Sequence, residues 1–220
     1  MNHFIAPLLF SLSCLVPCSG VTSTFVFGGH GYAIETQGAT WTVADSTASA
    51  LIGGTGLIPS SWASPHLVSI ESGAENTEIF NQLSLAGIST TANDGGGATY
   101  AWIGFSQAGV QPTPAAGWSW SGGSTAPYTN WGSGPSGAEP DDYSSATPGI
   151  EDGDQDFAAL GLTGWPVSTV NLGSPGQWND ISGTNQLAYV VEFDIIPEPS
   201  ATLLVMLSSL VPLLRRKRQN

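Results

Sequence analysis

Seven carboxylates fall within eighteen residues of this chain: Glu139, Asp141, Asp142, Glu151, Asp152, Asp154 and Asp156. Like charges that close repel one another, so such a cluster is either a solvated loop or a cation site. The rest of the sequence bears on that choice. The chain has 17 acidic groups against four basic ones, and the four (Arg215, Arg216, Lys217 and Arg218) all lie in its last six residues. Residues 1–214 therefore contain no Lys or Arg. Without an internal counter-charge, the natural partner of the acids is a cation. Nucleic acid and polyanionic membrane surfaces are excluded as partners, because binding them depends on Lys and Arg.

Other chemistry is poorly supplied. Both cysteines, Cys14 and Cys18, sit in the first 20 residues. The region beyond them has no disulfide and no thiol, and apolar packing must hold it together. His30 and His66 stand alone beside strand-like runs, where a packing role is expected. A pair of carboxylates could serve a glycosidase as acid and base, but these acids are arranged better for a metal. The chain is read as a non-enzyme.

The elements that must position the acids form two groups. A helix is expected from about Trp41 to Leu51, with Thr40 as N-cap and Trp41, Ala44, Ala48 and Leu51 on one face. Leu67–Ile70 reads as a strand. Ser72 and Glu75 then form an S-x-x-E capping box opening a second helix, which buries Ile79, Phe80 and Leu83. Beyond residue 99 no helical period survives. Tyr32–Ile34, Tyr100–Phe105, Phe157–Leu162 and Ala188–Phe193 read as strands. The segment from about 106 to 156 is far longer than an ordinary connection, which marks it as functional or disordered. Six of the eight tryptophans lie between 102 and 178, which argues against disorder. The pattern is an α+β domain with a long structured loop.

Both ends read as addresses. Residues 4–17 form an apolar stretch too short to span a bilayer, followed by the small residues Ser19, Gly20, Thr22 and Ser23, so residues 1–23 are expected to be a signal peptide. Pro17 directly before Cys18 argues against lipoprotein processing there. At the other end Pro197-Glu198-Pro199 precedes the apolar run Ala201–Leu214 and then the basic cluster, which the positive-inside rule keeps cytoplasmic. This layout, over residues 196–220, resembles the PEP-CTERM sorting tail of Gram-negative bacteria. The resemblance implies recognition by an exosortase, transient insertion of a short transmembrane segment in the inner membrane, and delivery to the cell surface or extracellular matrix.

Between the ends the motifs follow in a fixed order: Trp102-Ile103-Gly104, Trp118-Ser119-Trp120-Ser121-Gly122, Tyr128-Thr129-Asn130-Trp131, Glu139-Pro140-Asp141, Trp178-Asn179-Asp180 and Tyr189-Val190-Val191-Glu192. This series resembles the C-type lectin domain over residues 28–194. The resemblance implies two helices packed on a small antiparallel sheet. It also implies a calcium site built from Glu139, Asp141, Asn179 and Asp180, with a cis bond between Glu139 and Pro140 aiming two side chains at one ion. A fifth ligand is expected at Glu151. Gln155-Asp156 is the alternative alignment, and Asp154 or Asp156 could substitute. Two adjacent sugar hydroxyls would replace calcium-bound water and hydrogen-bond to Glu139, Asp141, Asn179 and Asp180. Trp178, or another loop aromatic, would pack on the sugar's apolar face. The tripeptide Glu-Pro-Asp matches neither the Glu-Pro-Asn associated with mannose-type hydroxyls nor the Gln-Pro-Asp associated with galactose-type ones, so no sugar is named. The implied function is a secreted or cell-surface calcium-dependent carbohydrate-binding module, associated with exopolysaccharide or biofilm. The alternative is a structural or protein-binding surface component in which calcium only orders the long loop.

Overall fold

The computed structural model describes residues 20–143 and 152–197. Residues 1–19, the expected ligand Glu151 and the tail from Glu198 onward lie outside the described residues. The elements run β1 (Val21–Phe27), β2 (His30–Ala39), α1 (Trp41–Ala50), β3 (Trp62–Leu67), α2 (Gly73–Leu85), β4 (Tyr100–Gln107), β5 (Trp118–Trp120), β6 (Ser133–Gly134), β7 (Gly137–Ala138), β8 (Phe157–Gly161), β9 (Trp178–Ile181) and β10 (Leu187–Ile195). The α+β expectation is met. The sheet is larger than expected, however, with eight strands in the order β1-β2-β10-β4-β8-β9, β3 pairing with β10 and β5 with β4. Nor is it wholly antiparallel, because β10 and β4 run parallel where Ala188 faces Ala101 and Tyr189 faces Trp102.

Both faces of this sheet are covered, one by each helix. Along β10, Leu187, Tyr189, Val191 and Phe193 enter the core beneath α1, while Ala188 and Val190 enter the core beneath α2. In β4, Tyr100 and Trp102 take the first side and Ala101, Ile103 and Phe105 the second. Alternate residues of a strand point to opposite faces, and burial on both makes each strand a near-continuous apolar run. Helix α1 starts where the sequence places it, with Thr40 Oγ1 accepting from the Val43 N–H and Trp41, Ala44 and Ala48 buried. Helix α2 is capped by Ser72, whose hydroxyl accepts from the Glu75 N–H at 3.2 Å. The return half of the capping box differs from expectation. Glu75 accepts from the Glu71 N–H at 2.8 Å, one residue before the cap, while its other oxygen takes the Tyr32 hydroxyl at 2.7 Å.

Two boundaries are corrected. The strand expected at Leu67–Ile70 is β3, five residues earlier, ending at Leu67. Val68 instead enters between β10 and β4, donating to the Val190 carbonyl at 3.0 Å and accepting from the Gly104 N–H at 2.9 Å. The fold also begins earlier than residue 28. Strand β1 pairs with β2 from Val21, within the segment assigned to the signal peptide, and Phe25 stacks on Tyr32 at 4.7 Å. At the start of β8, Phe157 packs on Trp41 of α1 at 4.8 Å.

Candidate functional site

The loop that carries Glu139 is fastened to the sheet before it reaches the acid. Trp131 bridges to Trp178, the first residue of β9. The Gly132 N–H donates to the Trp178 carbonyl at 2.8 Å, and the Glu139 N–H returns to the Gly132 carbonyl at 2.8 Å. Position 132 requires glycine for space, since a Cβ there would stand 2.4 Å from the Trp165 ring and 3.0 Å from Glu139 Cγ. The short hairpin β6–β7 closes this excursion, and the Glu139–Pro140 bond that follows is cis.

Three carboxylates then converge. Glu139, Asp141 and Asp180 each offer an oxygen, and the three oxygens lie within 4.8 Å of one another. Glu139 and Asp180 are buried, at 7% and 1% exposure, and Asp141 is half-buried. Each buried acid has one oxygen satisfied. Glu139 Oε1 accepts from Trp165 Nε1 at 2.7 Å, and Asp180 Oδ2 accepts from the N–H groups of Asp141 (3.0 Å) and Asp142 (2.8 Å). The other oxygens, Glu139 Oε2 and Asp180 Oδ1, have no hydrogen-bond partner. Asn179 completes the group. Its Nδ2 donates to the Tyr100 hydroxyl at 2.9 Å, so Oδ1 is the atom it can turn to an ion. Two oxygens bound to one calcium at about 2.3–2.6 Å are at most about 5 Å apart. The observed spacing fits a single ion, and the unpartnered buried oxygens fit its appetite for carboxylates.

The electrostatics follow from burial without a counter-charge. Glu139 is pushed up to about 9 by desolvation first and by Asp180 second, against the opposing hydrogen bond from Trp165. Asp180 is pushed up to about 8, again mainly by burial, and its backbone donors only partly offset this. Asp141 is also raised by burial. Protonated, Glu139 can share its proton with Asp141. Ionised, its Oε2 has no donor.

The group opens into a cavity of about 340 Å³ lined by Glu139, Asp141, Tyr143, Gln155, Trp165 and Asn179, among others. Two residues hold this wall in place although the sequence did not mark them. Asp142, buried at 1% and with φ of 45°, turns its carboxylate to the N–H groups of Asp152, Gly153 (3.2 Å) and Gln155 (2.9 Å). It is therefore a strut for the far side of the loop. Trp165, 1% exposed, orients Glu139. The alternative ligand Gln155 is buried at the cavity wall, its Oε1 taken by the Tyr143 N–H at 2.7 Å. Asp154 is exposed, and Asp156 carries a buried oxygen beside β8.

Trp178 is a correction. It is fully buried, donates from Nε1 to Asn76 Oδ1 at 2.7 Å, and packs among Phe105, Trp120, Tyr128 and Trp131. It directly precedes Asn179 in β9, so its ring leaves by the opposite face and enters the core. No sugar can reach it.

No family model matches the sequence, and neither does any curated protein. Solved structures do match. The EPNH mutant of CEL-I superposes with a TM-score of 0.52 at 23% identity, covering 79% of this chain and 96% of that one. The C-type lectin CEL-I from Cucumaria echinata gives 0.51 at 22% identity over the same shares of the two chains. Human lithostathine gives 0.51 at 21% identity, covering 78% of this chain and 96% of that one. At these identities the likeness concerns architecture, and on that ground the chain has the C-type lectin-like fold.

Proposed function

We propose that the chain is a secreted, calcium-dependent carbohydrate-binding module, with Glu139, Asp141, Asn179 and Asp180 holding the ion. The observation that carries this reading is the pair of buried, unpartnered oxygens, Glu139 Oε2 and Asp180 Oδ1, in a stretch of 214 residues without Lys or Arg. Calcium supplies the missing charge and keeps open positions for neutral oxygens. Adjacent hydroxyls of a sugar would fill those positions while hydrogen-bonding to the carboxylates that flank them. With Trp178 in the core, the ring available to the sugar's apolar face is Tyr143, which lines the cavity and is 52% exposed. The neighbour CEL-I is itself a C-type lectin, which favours the same use of the fold here. Glu151 remains the proposed fifth ligand. Export through an N-terminal signal ahead of β1 and sorting through the Pro197-Glu198-Pro199 tail by an exosortase complete the proposal, with exopolysaccharide or another surface glycan as partner.

One observation favours the second reading, a loop ordered by calcium for contact with protein. Asp142 ties the 152–155 segment to the acidic cluster, so an ion there would brace that segment as well. A glycan array probed with purified protein in calcium and in chelator separates the two. Calcium-dependent retention on glycans supports the first reading. Calcium binding with no glycan retained at any position rejects it in favour of the second.

A further inference from the structure

Glu35 and two other buried acids, Glu75 and Asp142, belong to neither the candidate metal group nor any ion pair among the described residues, but Glu75 and Asp142 have both oxygens hydrogen-bonded. Glu35, in β2, is 4% exposed, and its Oε1 has no hydrogen-bond partner. The groups facing it are few. They are the Tyr189 side chain of β10 and the backbone of Gly20 ahead of β1, both of which favour the ionised form against burial. Gly20 lies directly against the carboxylate, since a Cβ built there would stand 3.1 Å from Oε2 and 3.6 Å from Oε1. Strand pairing fixes the approach, because Val21 registers with Glu35. Burial alone raises this carboxyl, and the chain is short of cations to compensate it. There is no Lys or Arg before residue 215, and His30 and His66 both face Glu192, at 2.9 and 4.0 Å.

One cation could arise on the spot. We propose that Glu35 is the built-in counter-ion for the α-ammonium of the processed chain, released by cleavage beside Gly20 and not after Ser23. The inference rests on the reading of the first residues as an export signal. In the cleavage, water adds across the amide. Its hydroxyl goes to the carbonyl carbon of the departing segment and a hydrogen to the nitrogen, which then takes up a solvent proton. A backbone amide next to Glu35 has one N–H to offer, whereas an ammonium has three and a full charge, enough to reach Oε1 as well. A cut after Gly20 leaves the small residues Cys18 and Gly20 at the two positions a signal peptidase reads, and a cut before it leaves Ser19 at the bond. It leaves β1 whole. Cleavage after Ser23 would remove the first three residues of that strand, Val21–Ser23, and the new amine with them.

The test expresses the full chain with its leader in an exporting Gram-negative host and determines the N-terminus of the exported protein by intact mass. A chain starting at Gly20 or Val21 supports the proposal. One starting at Cys18 or Thr24, or left uncut, overturns it, and the uncut result overturns the export reading too. The amine is then acylated at pH 7 with a limiting reagent and followed on the N-terminal peptide. Pairing holds the amine protonated, so modification should be at least about tenfold slower than in Glu35→Gln, one pKa unit of protection. Equal rates would overturn the pairing even with the cut confirmed. If Glu35→Gln folds poorly, one residue added ahead of the mature terminus provides the second measurement. It should lower Tm in the Glu35 protein and leave Tm unchanged in Glu35→Gln. An equal fall in both overturns the proposal.

Discussion

At neutral pH, calcium capture should release protons, and the number follows from the carboxylates that receive the ion. With Glu139 at about 9 and Asp180 at about 8, both are mostly protonated at pH 7. A calcium ligand must be ionised, so each ion bound at that pH displaces roughly one to two protons. The apparent Kd should then fall by about tenfold to a hundredfold for each unit of pH between 6 and 8. The same shifts set the stability of the metal-free protein. These carboxyls have folded pKa values above their unfolded ones near 4, so the folded chain binds more protons than the unfolded chain between about pH 4 and 9. Their contribution is fully present at the acid end of that window and is lost as pH rises through the folded values. In chelator, stability should therefore decline from pH 5 to 9, at about 1.4 kcal/mol for each unit of displacement. Excess calcium should reverse the trend. The assay is calorimetric calcium titration in buffers of different ionisation enthalpy, paired with thermal melts across pH. Calcium binding with no proton release and a Kd flat from pH 6 to 8 would refute the reasoning.

Further outcomes follow from particular side chains. Asp142→Ala removes the acceptor of three backbone N–H groups, so it should cost about 3 kcal/mol in thermal unfolding and speed hydrogen exchange over residues 152–155. Calcium affinity should fall with it, although the Asp142 carboxylate is taken up by those backbone N–H groups. Trp178→Phe strands Asn76 Oδ1 in the core and should cost about 1–3 kcal/mol by denaturant titration, with glycan retention kept wherever the protein remains folded. Tyr143→Ala should do the reverse, leaving the melt unchanged and reducing retention on the array.

The contrast between those last two residues shows what the sequence could reveal. Helix starts were readable because capping is local: Thr40 and Ser72 each need only a neighbour three residues away. The candidate site residues came from the resemblance of Glu139-Pro140-Asp141 and Trp178-Asn179-Asp180 to C-type lectin motifs, whereas composition said only that carboxylates in a stretch of 214 residues without Lys or Arg have few partners. Sequence order alone, however, does not say which face of β9 a residue takes. Trp178 beside Asn179 therefore looked like a binding ring, although alternation along the strand sends it to the core. Asp142 was indistinguishable from its neighbour Asp141 by composition, and only the turn at its positive φ separates a strut from a ligand. Trp165 orients Glu139 from 26 residues downstream, a relation no local pattern encodes. Strand β1 was hidden because its small residues also read as a peptidase site. The strand at Trp62–Leu67 was hidden because Ser64 and Pro65 interrupt its apolar pattern.

The central claim, an ion held by Glu139, Asp141, Asn179 and Asp180 with positions left for sugar hydroxyls, can be tested with terbium in calcium's place. Trp165 is one hydrogen bond from Glu139, at 2.7 Å, so its indole lies close enough to sensitise a bound lanthanide. The account predicts tryptophan-sensitised terbium emission that calcium competes away and Asp180→Asn abolishes. It also predicts a longer emission lifetime when a retained glycan displaces metal-bound water. Absence of sensitised emission, or emission unchanged by Asp180→Asn and by glycan, would contradict it.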